Sequence, residues 1–251
     1  MAERERDDAP IYVGYLPTPR REKRLLRIAV PVLLWIGAMA AGLVAWRMQD
    51  PGTGVWDTSN EQTWEGVLHA DPYPLLEIDD AGTTEVVLLV EMGKTGTDRA
   101  RAFNGRRVSV TGFELERDGR RIFELVPEDR AISAIEGEVA GGGFATTPVR
   151  TVTLRGEIMD SKCFLGAMKP GEGQGHRACA ILCIRGGIPP MLVTRDAAGA
   201  ASYYLLVNED GSGIAPDALD RIGEPVEITG ELRHRGDLML LAIDPELVRG
   251  L

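Results

Sequence analysis

The chain has 251 residues, of which 44% are hydrophobic and 26% charged, with a formal net charge of −10. That is the composition of globular protein, with room for one or two domains. Residues 51–251 carry 20 Lys+Arg against 32 Asp+Glu, which argues against nucleic acid as a partner because phosphate binding needs a basic surface. Neither a Gly-x-Ser-x-Gly elbow nor a His-Glu-x-x-His pair occurs, and Gly93-Lys94-Thr95-Gly96 lacks the flanking glycines of a phosphate loop.

Residues 1–27 form a charged leader that includes the aromatic run Ile11-Tyr12-Val13-Gly14-Tyr15-Leu16-Pro17, either a docking segment or a disordered one. Residues 28–46, from Ile28 to Trp46, are 19 residues without a charge. At about 1.5 Å per residue such a helix spans roughly 28 Å, close to the hydrocarbon thickness of a bilayer. Arg20, Arg21, Lys23, Arg24 and Arg27 precede it and Arg47 alone follows. The positive-inside bias then predicts a single-pass protein of a bacterial inner (cytoplasmic) membrane, with the N-terminus cytoplasmic and the remainder extracytoplasmic. The rival reading is a signal peptide cut near Ala38-Met39-Ala40.

Residues 47–62 read as a linker, and from there the pattern is β. Strands are expected over residues 64–70, 75–79, 84–91, 106–116 and 120–126, with hairpin turns at Asp80-Ala81-Gly82 and Asp118-Gly119 and a short helix over residues 97–103. After a glycine-rich joint over residues 138–150, which contains Gly141-Gly142-Gly143, the same order recurs: strands over 154–159, 191–195 and 203–207, a short helix over 215–222, and strands over 226–232 and 238–243. Landmarks match between the halves at fixed offsets, Gly66 with Gly156 and Val110-Thr111-Gly112 with Ile228-Thr229-Gly230. The strand order and turn placement resemble the OB-fold. The expected fold is therefore mainly β, a transmembrane helix followed by two tandem OB-fold-like barrels over residues 63–137 and 151–251. Such barrels bind many things, so the resemblance fixes no function.

The offset between the halves changes in one place, where residues 159–190 form an insertion in the second copy. It holds all three cysteines and one of the three histidines, as Cys163-x12-His176-x2-Cys179-x3-Cys183. The run from His176 to Arg185 is helix-compatible and stops at Gly186-Gly187. At about 100° per residue, His176, Cys179 and Cys183 share one face. Cys163, leaving the preceding strand, can come down on it, with Asp160 or Met168 nearby. A Cys3His set is a sufficient shell for zinc, and the same donors suit copper.

Two other readings use the same residues. Outside the cytoplasm cysteines usually pair, so Cys163 could bridge Cys179 or Cys183 and leave one thiol over. Cys179 and Cys183 are a poor couple on one helix, where Cβ atoms lie about 5 to 6 Å apart against the roughly 3.5 to 4.5 Å that a disulfide needs. A redox-active thiol would draw on His176, Lys162 or Arg177 to acidify it. His69 and His234 read as solvated or half-buried side chains. The leading functional expectation is non-catalytic: an accessory or assembly subunit of a membrane redox complex that binds another membrane protein and carries zinc or copper. A thiol-disulfide or copper-dependent oxidoreductase is the alternative, and a disulfide-stapled scaffold the second.

Overall fold

The computed structural model describes residues 20–48, 52–80, 82–136 and 144–251, with the side chains at 20, 21 and 80 excepted. The aromatic run at residues 11–17 and the triple glycine of the joint lie outside these. Residues 1–50 and 51–251 form two separate units.

The first unit contains one helix, α1 (Arg20–Arg47), with Pro31 inside it. Within its Glu22–Arg47 stretch an 18-residue window has a mean hydropathy of 2.3 and contains no buried residue. The helix is thus long and apolar enough to span a membrane.

The second unit is mainly β. Its first sheet comprises β1 (Val55–Trp56), β2 (Gln62–His69), β3 (Leu75–Asp80), β4 (Thr83–Val90), β5 (Arg107–Arg117), β6 (Arg120–Leu125) and β7 (Ile132–Ala134). Strands β2, β3, β4, β6 and β5 pair in that order, and β5 pairs back onto β2, so five strands close into a barrel. Only β4 and β6 run parallel in this ring. The turn between β5 and β6 uses Asp118 and Gly119, both at positive φ, as the expected hairpin requires. Residues Asp98–Phe103 form a 3-10 helix between β4 and β5.

The second sheet comprises β8 (Thr147–Asp160), β9 (Pro190–Arg195), β10 (Ala201–Asn208), β11 (Pro225–Arg235), β12 (Leu238–Ile243) and β13 (Arg249–Gly250). Its pairings run β8, β9, β10, β12, β11 and back to β8, again with one parallel pair, β10 with β12. Pairing partners recur between the sheets: Trp64 faces Val110 as Leu154 faces Ile228. The hydroxyls of Thr63 and Thr111 meet at 3.2 Å, and those of Thr153 and Thr229 at 2.8 Å. Close approach makes glycine necessary at Gly112 and Gly230, where a Cβ would strike the carbonyl oxygens of Glu124 and Ala242.

Three expectations need adjustment. The linker contributes β1, whose Val55 pairs with Glu116. Strand β8 begins at Thr147, inside the expected joint, because its exposed first half still pairs with β11 past an irregularity at Leu232/Arg233. The helix expected over 215–222 is a single 3-10 turn, Pro216–Ala218.

The strands of the two rings share a core. Val87 and Leu89 pack inside the first barrel with Leu68, Phe123 and Leu125. Their neighbours Val86, Leu88 and Val90 join Leu115 and Ile122 in a second cluster with Ile158, Leu192, Leu205 and Leu240. An unbroken apolar run serves a strand buried on both faces. Polar ties cross the same seam. The Tyr73 hydroxyl donates to the Leu206 carbonyl at 2.8 Å and accepts from the Ile214 amide at 2.9 Å. Arg120 and the Val86 amide both donate to the Asp237 carboxylate at 2.8 Å.

Candidate metal centre

The insertion leaves β8 at Asp160 and returns to β9 at Pro190. Cys163–Ala167 make one wide helical turn, closed by the Met168 amide donating to the Cys163 carbonyl at 3.1 Å. Gly171, at positive φ, lies so close behind this turn that a Cβ would meet the Cys163 carbonyl oxygen. The expected helix is present as α2 (Arg177–Arg185), with His176 at its N-cap position and Gly186 at its end. Two ties pin its far end, the Ile188 amide on the Cys183 carbonyl at 3.0 Å and the Ser161 amide on the Pro189 carbonyl at 3.1 Å.

These constraints bring the three sulfurs together. Cys163 Sγ lies 3.9 Å from Cys179 Sγ and 3.7 Å from Cys183 Sγ, and all three fall within 4.8 Å of one another. Each is a free thiol. A zinc ion holding thiolates at about 2.3 Å in a tetrahedron sets them about 3.8 Å apart, which the two separations from Cys163 match. Cys163 and Cys183 are buried, whereas Cys179 is half-buried.

His176 groups with Cys163 and Asp160. His176, Asp160 and Cys163 place one donor atom each within 4.8 Å of one another, all three buried. The His176 Nε2 lies 3.0 Å from Asp160 Oδ2, and the Cys163 amide donates to Asp160 Oδ1 at 2.8 Å. Asp160 therefore fixes both the imidazole and the backbone of the first cysteine. His176 Nδ1 is buried without a hydrogen-bond partner. With Asp160 ionised, Nε2 carries the proton and Nδ1 presents a bare lone pair, the tautomer that metal-binding histidines adopt when a carboxylate holds their other nitrogen. Met168, the other suggested neighbour, is 44% exposed. The four expected ligands, together with Asp160, thus fall into two trios that share Cys163, rather than one set of four.

The electrostatics separate the thiols. Cys183 is held below the ordinary thiol range, first because Cys163 donates a hydrogen bond to it, with help from the charge of Lys94. Cys163 is pushed up by giving that bond, by burial and by the Asp160 charge. Cys163 is therefore the proton holder and Cys183 the better anion.

Lys94 is the residue that the sequence reading missed. It lies in the loop after β4, in the first ring, and its Nζ contacts Cys179 Sγ and lies 3.7 Å from Cys183 Sγ. The loop reaches the helix end through glycines: the Gly96 amide donates to the Gly186 carbonyl at 2.9 Å, and a Cβ on Gly186 would overlap the Lys94 carbonyl oxygen. Hydrogen bonding to Cys179 raises the Lys94 pKa further, so its ammonium persists beside the sulfurs. A Gly186→Ala change is expected to destabilise the protein by about 1–3 kcal/mol through that overlap. A lowered chemical-denaturation midpoint checks it.

Lys162, expected near the thiols, points away from them. Its Nζ donates to the carbonyls of Glu91 and Gly93, both at 2.8 Å, and pairs with the Glu124 carboxylate. Arg177 bonds Glu224 and the Ile222 carbonyl instead. His69 is buried rather than solvated, 3.1 Å from Glu77, and burial lowers its pKa. No known protein family, curated protein or solved structure matches the chain.

Proposed function

We propose that this is a membrane-anchored metal-binding protein in which Cys163, Cys179 and Cys183 hold one zinc or copper ion and His176 completes the shell through Nδ1. The observation that carries the reading is the sulfur spacing, 3.7 and 3.9 Å from Cys163, against the edge of about 3.8 Å that a tetrahedral thiolate site requires. The buried, unpartnered Nδ1 supports the fourth position, since orphaned buried polar atoms call for a partner such as an ion. His176 and Cys163 already lie in a common trio, which puts the imidazole beside the first sulfur. Both metals suit this donor set, and thiolates favour monovalent copper.

The wider setting is part of the same proposal. The helix α1 anchors the chain in a bacterial inner membrane, with residues 51–251 extracytoplasmic, and the two five-stranded rings are OB-type barrels that arose by internal duplication. Supporting that reading are the recurring pairing partners and threonine contacts of the two sheets. In this setting the protein serves as a non-catalytic accessory or assembly subunit of a membrane redox complex, presenting the ion beside the half-exposed Cys179.

Elemental analysis of the full chain purified in detergent tests the proposal. About one zinc or copper per chain is expected, and Asp160→Asn should weaken binding about 10- to 100-fold by releasing the imidazole. Substoichiometric metal in the wild type, unchanged in that variant, would overturn it.

A further inference from the structure

Two features of the cluster are not needed to hold an ion, and its sulfur spacing has a second use. One thiol, Cys179, is half-buried while its two neighbours are buried. That same thiol carries the Lys94 ammonium. The buried Cys163 lies 3.9 Å behind it, and Cys179 and Cys183 are i and i+4 on one helix, a spacing that keeps them from bridging each other. Exposure favours Cys179 as the point of entry, because thiol-disulfide exchange needs a sulfur that the external disulfide can reach. Cys183 is out of reach of an external disulfide, since it is fully buried.

From this arrangement we infer that the metal-free cluster performs thiol-disulfide exchange, with Cys179 as the entry nucleophile and Cys163 as the resolving thiol, and that the resulting bridge shuts the metal site. The inference rests on the same three sulfurs as the metal reading but not on its being correct. The co-reactant is a disulfide, R–S–S–R. In the first step the Cys179 thiolate forms a bond to one sulfur of the disulfide, the S–S bond breaks, and RS⁻ leaves. In the second, Cys163 attacks Cys179 Sγ, the mixed disulfide breaks, and the proton of the Cys163 thiol departs on the second RSH. The protein loses two electrons as a Cys163–Cys179 disulfide, and the co-reactant gains them as two thiols. Cys183 is left alone, and the tripod that an ion requires is gone.

The experiment treats the full chain in detergent, stripped by a chelator, with oxidised glutathione and maps the products by mass spectrometry. Wild type is expected to end with a Cys163–Cys179 bridge and no retained glutathione. Cys163→Ser should stop with one glutathione on Cys179. Cys179→Ser, altering a half-exposed position, should be inert over the same period. Glutathione retained on Cys183, a Cys163–Cys183 bridge in wild type, or no reaction would overturn the inference. Metal content of the reduced sample is read alongside. One ion per chain without exchange leaves the metal reading standing, while exchange without metal uptake removes that reading and keeps this one.

Discussion

Replacing Lys162 with methionine is expected to cost the fold about 3–5 kcal/mol, the largest single loss anticipated outside the apolar core. Lys162 and Glu124 are 3% and 0% exposed, so the Glu124 carboxylate has no water to fall back on once the ammonium is gone. The same change strips the Glu91 and Gly93 carbonyls of their donor at 2.8 Å each. Glu91 is half-buried and Gly93 exposed, so losing these two bonds adds less than orphaning a buried acceptor would. For a unit of this size the thermal midpoint should fall by roughly 10 °C. Lys162→Met combined with Glu124→Leu should recover most of the loss, because an ion pair swapped for apolar side chains is often close to neutral. Thermal unfolding of both variants checks this. Loss in the single variant without recovery in the double would mean that the carbonyls, not the ion pair, set the cost.

The second large effect concerns Cys163. This residue is the one vertex common to the three-sulfur group and to the group with Asp160 and His176. Cys163→Ser is therefore expected to abolish stoichiometric metal binding, because it removes a thiolate and breaks both groups at once. A hydroxyl binds soft ions poorly and is not deprotonated at neutral pH, so serine does not substitute for thiolate. Folding should survive, since serine is close in size and the Asp160 contact to the residue 163 amide is a backbone bond. Metal-to-protein ratios after dialysis, with circular dichroism as the folding control, test the point. A Cys163→Ser protein that still holds one ion per chain would place the site elsewhere.

Much of this was legible in the residues, for physical reasons that differ from element to element. The Asp118-Gly119 turn demanded positive φ and is found there. Gly186-Gly187 after an apolar helical run marked the end of α2 correctly. Convergence of the three cysteines followed from helical periodicity together with a chain leaving an adjacent strand. What the sequence hid is long-range. Lys94 lies 85 residues from Cys179, and only the close approach of one backbone to another at Gly96 and Gly186 brings it in. Lys162 stands next to Cys163 in sequence yet turns to a carboxylate of the other ring. The run Val86-Val87-Leu88-Leu89-Val90 did hold a clue to the shared core. It does not alternate, and its odd and even members divide between two clusters, as expected of a strand covered on both sides. The edge strands β1 and β13, two residues each and exposed, leave no hydrophobic pattern to read.

The central claim is that one ion sits on the three sulfurs with His176 as its fourth ligand. X-ray absorption at the zinc and copper edges, on the full chain in detergent, tests it most directly. The account predicts about three sulfur neighbours near 2.3 Å and one nitrogen near 2.0 Å, the nitrogen shell being lost in His176→Ala. A shell of oxygen and nitrogen alone, or one unaffected by changes at both His176 and Cys163, would contradict it.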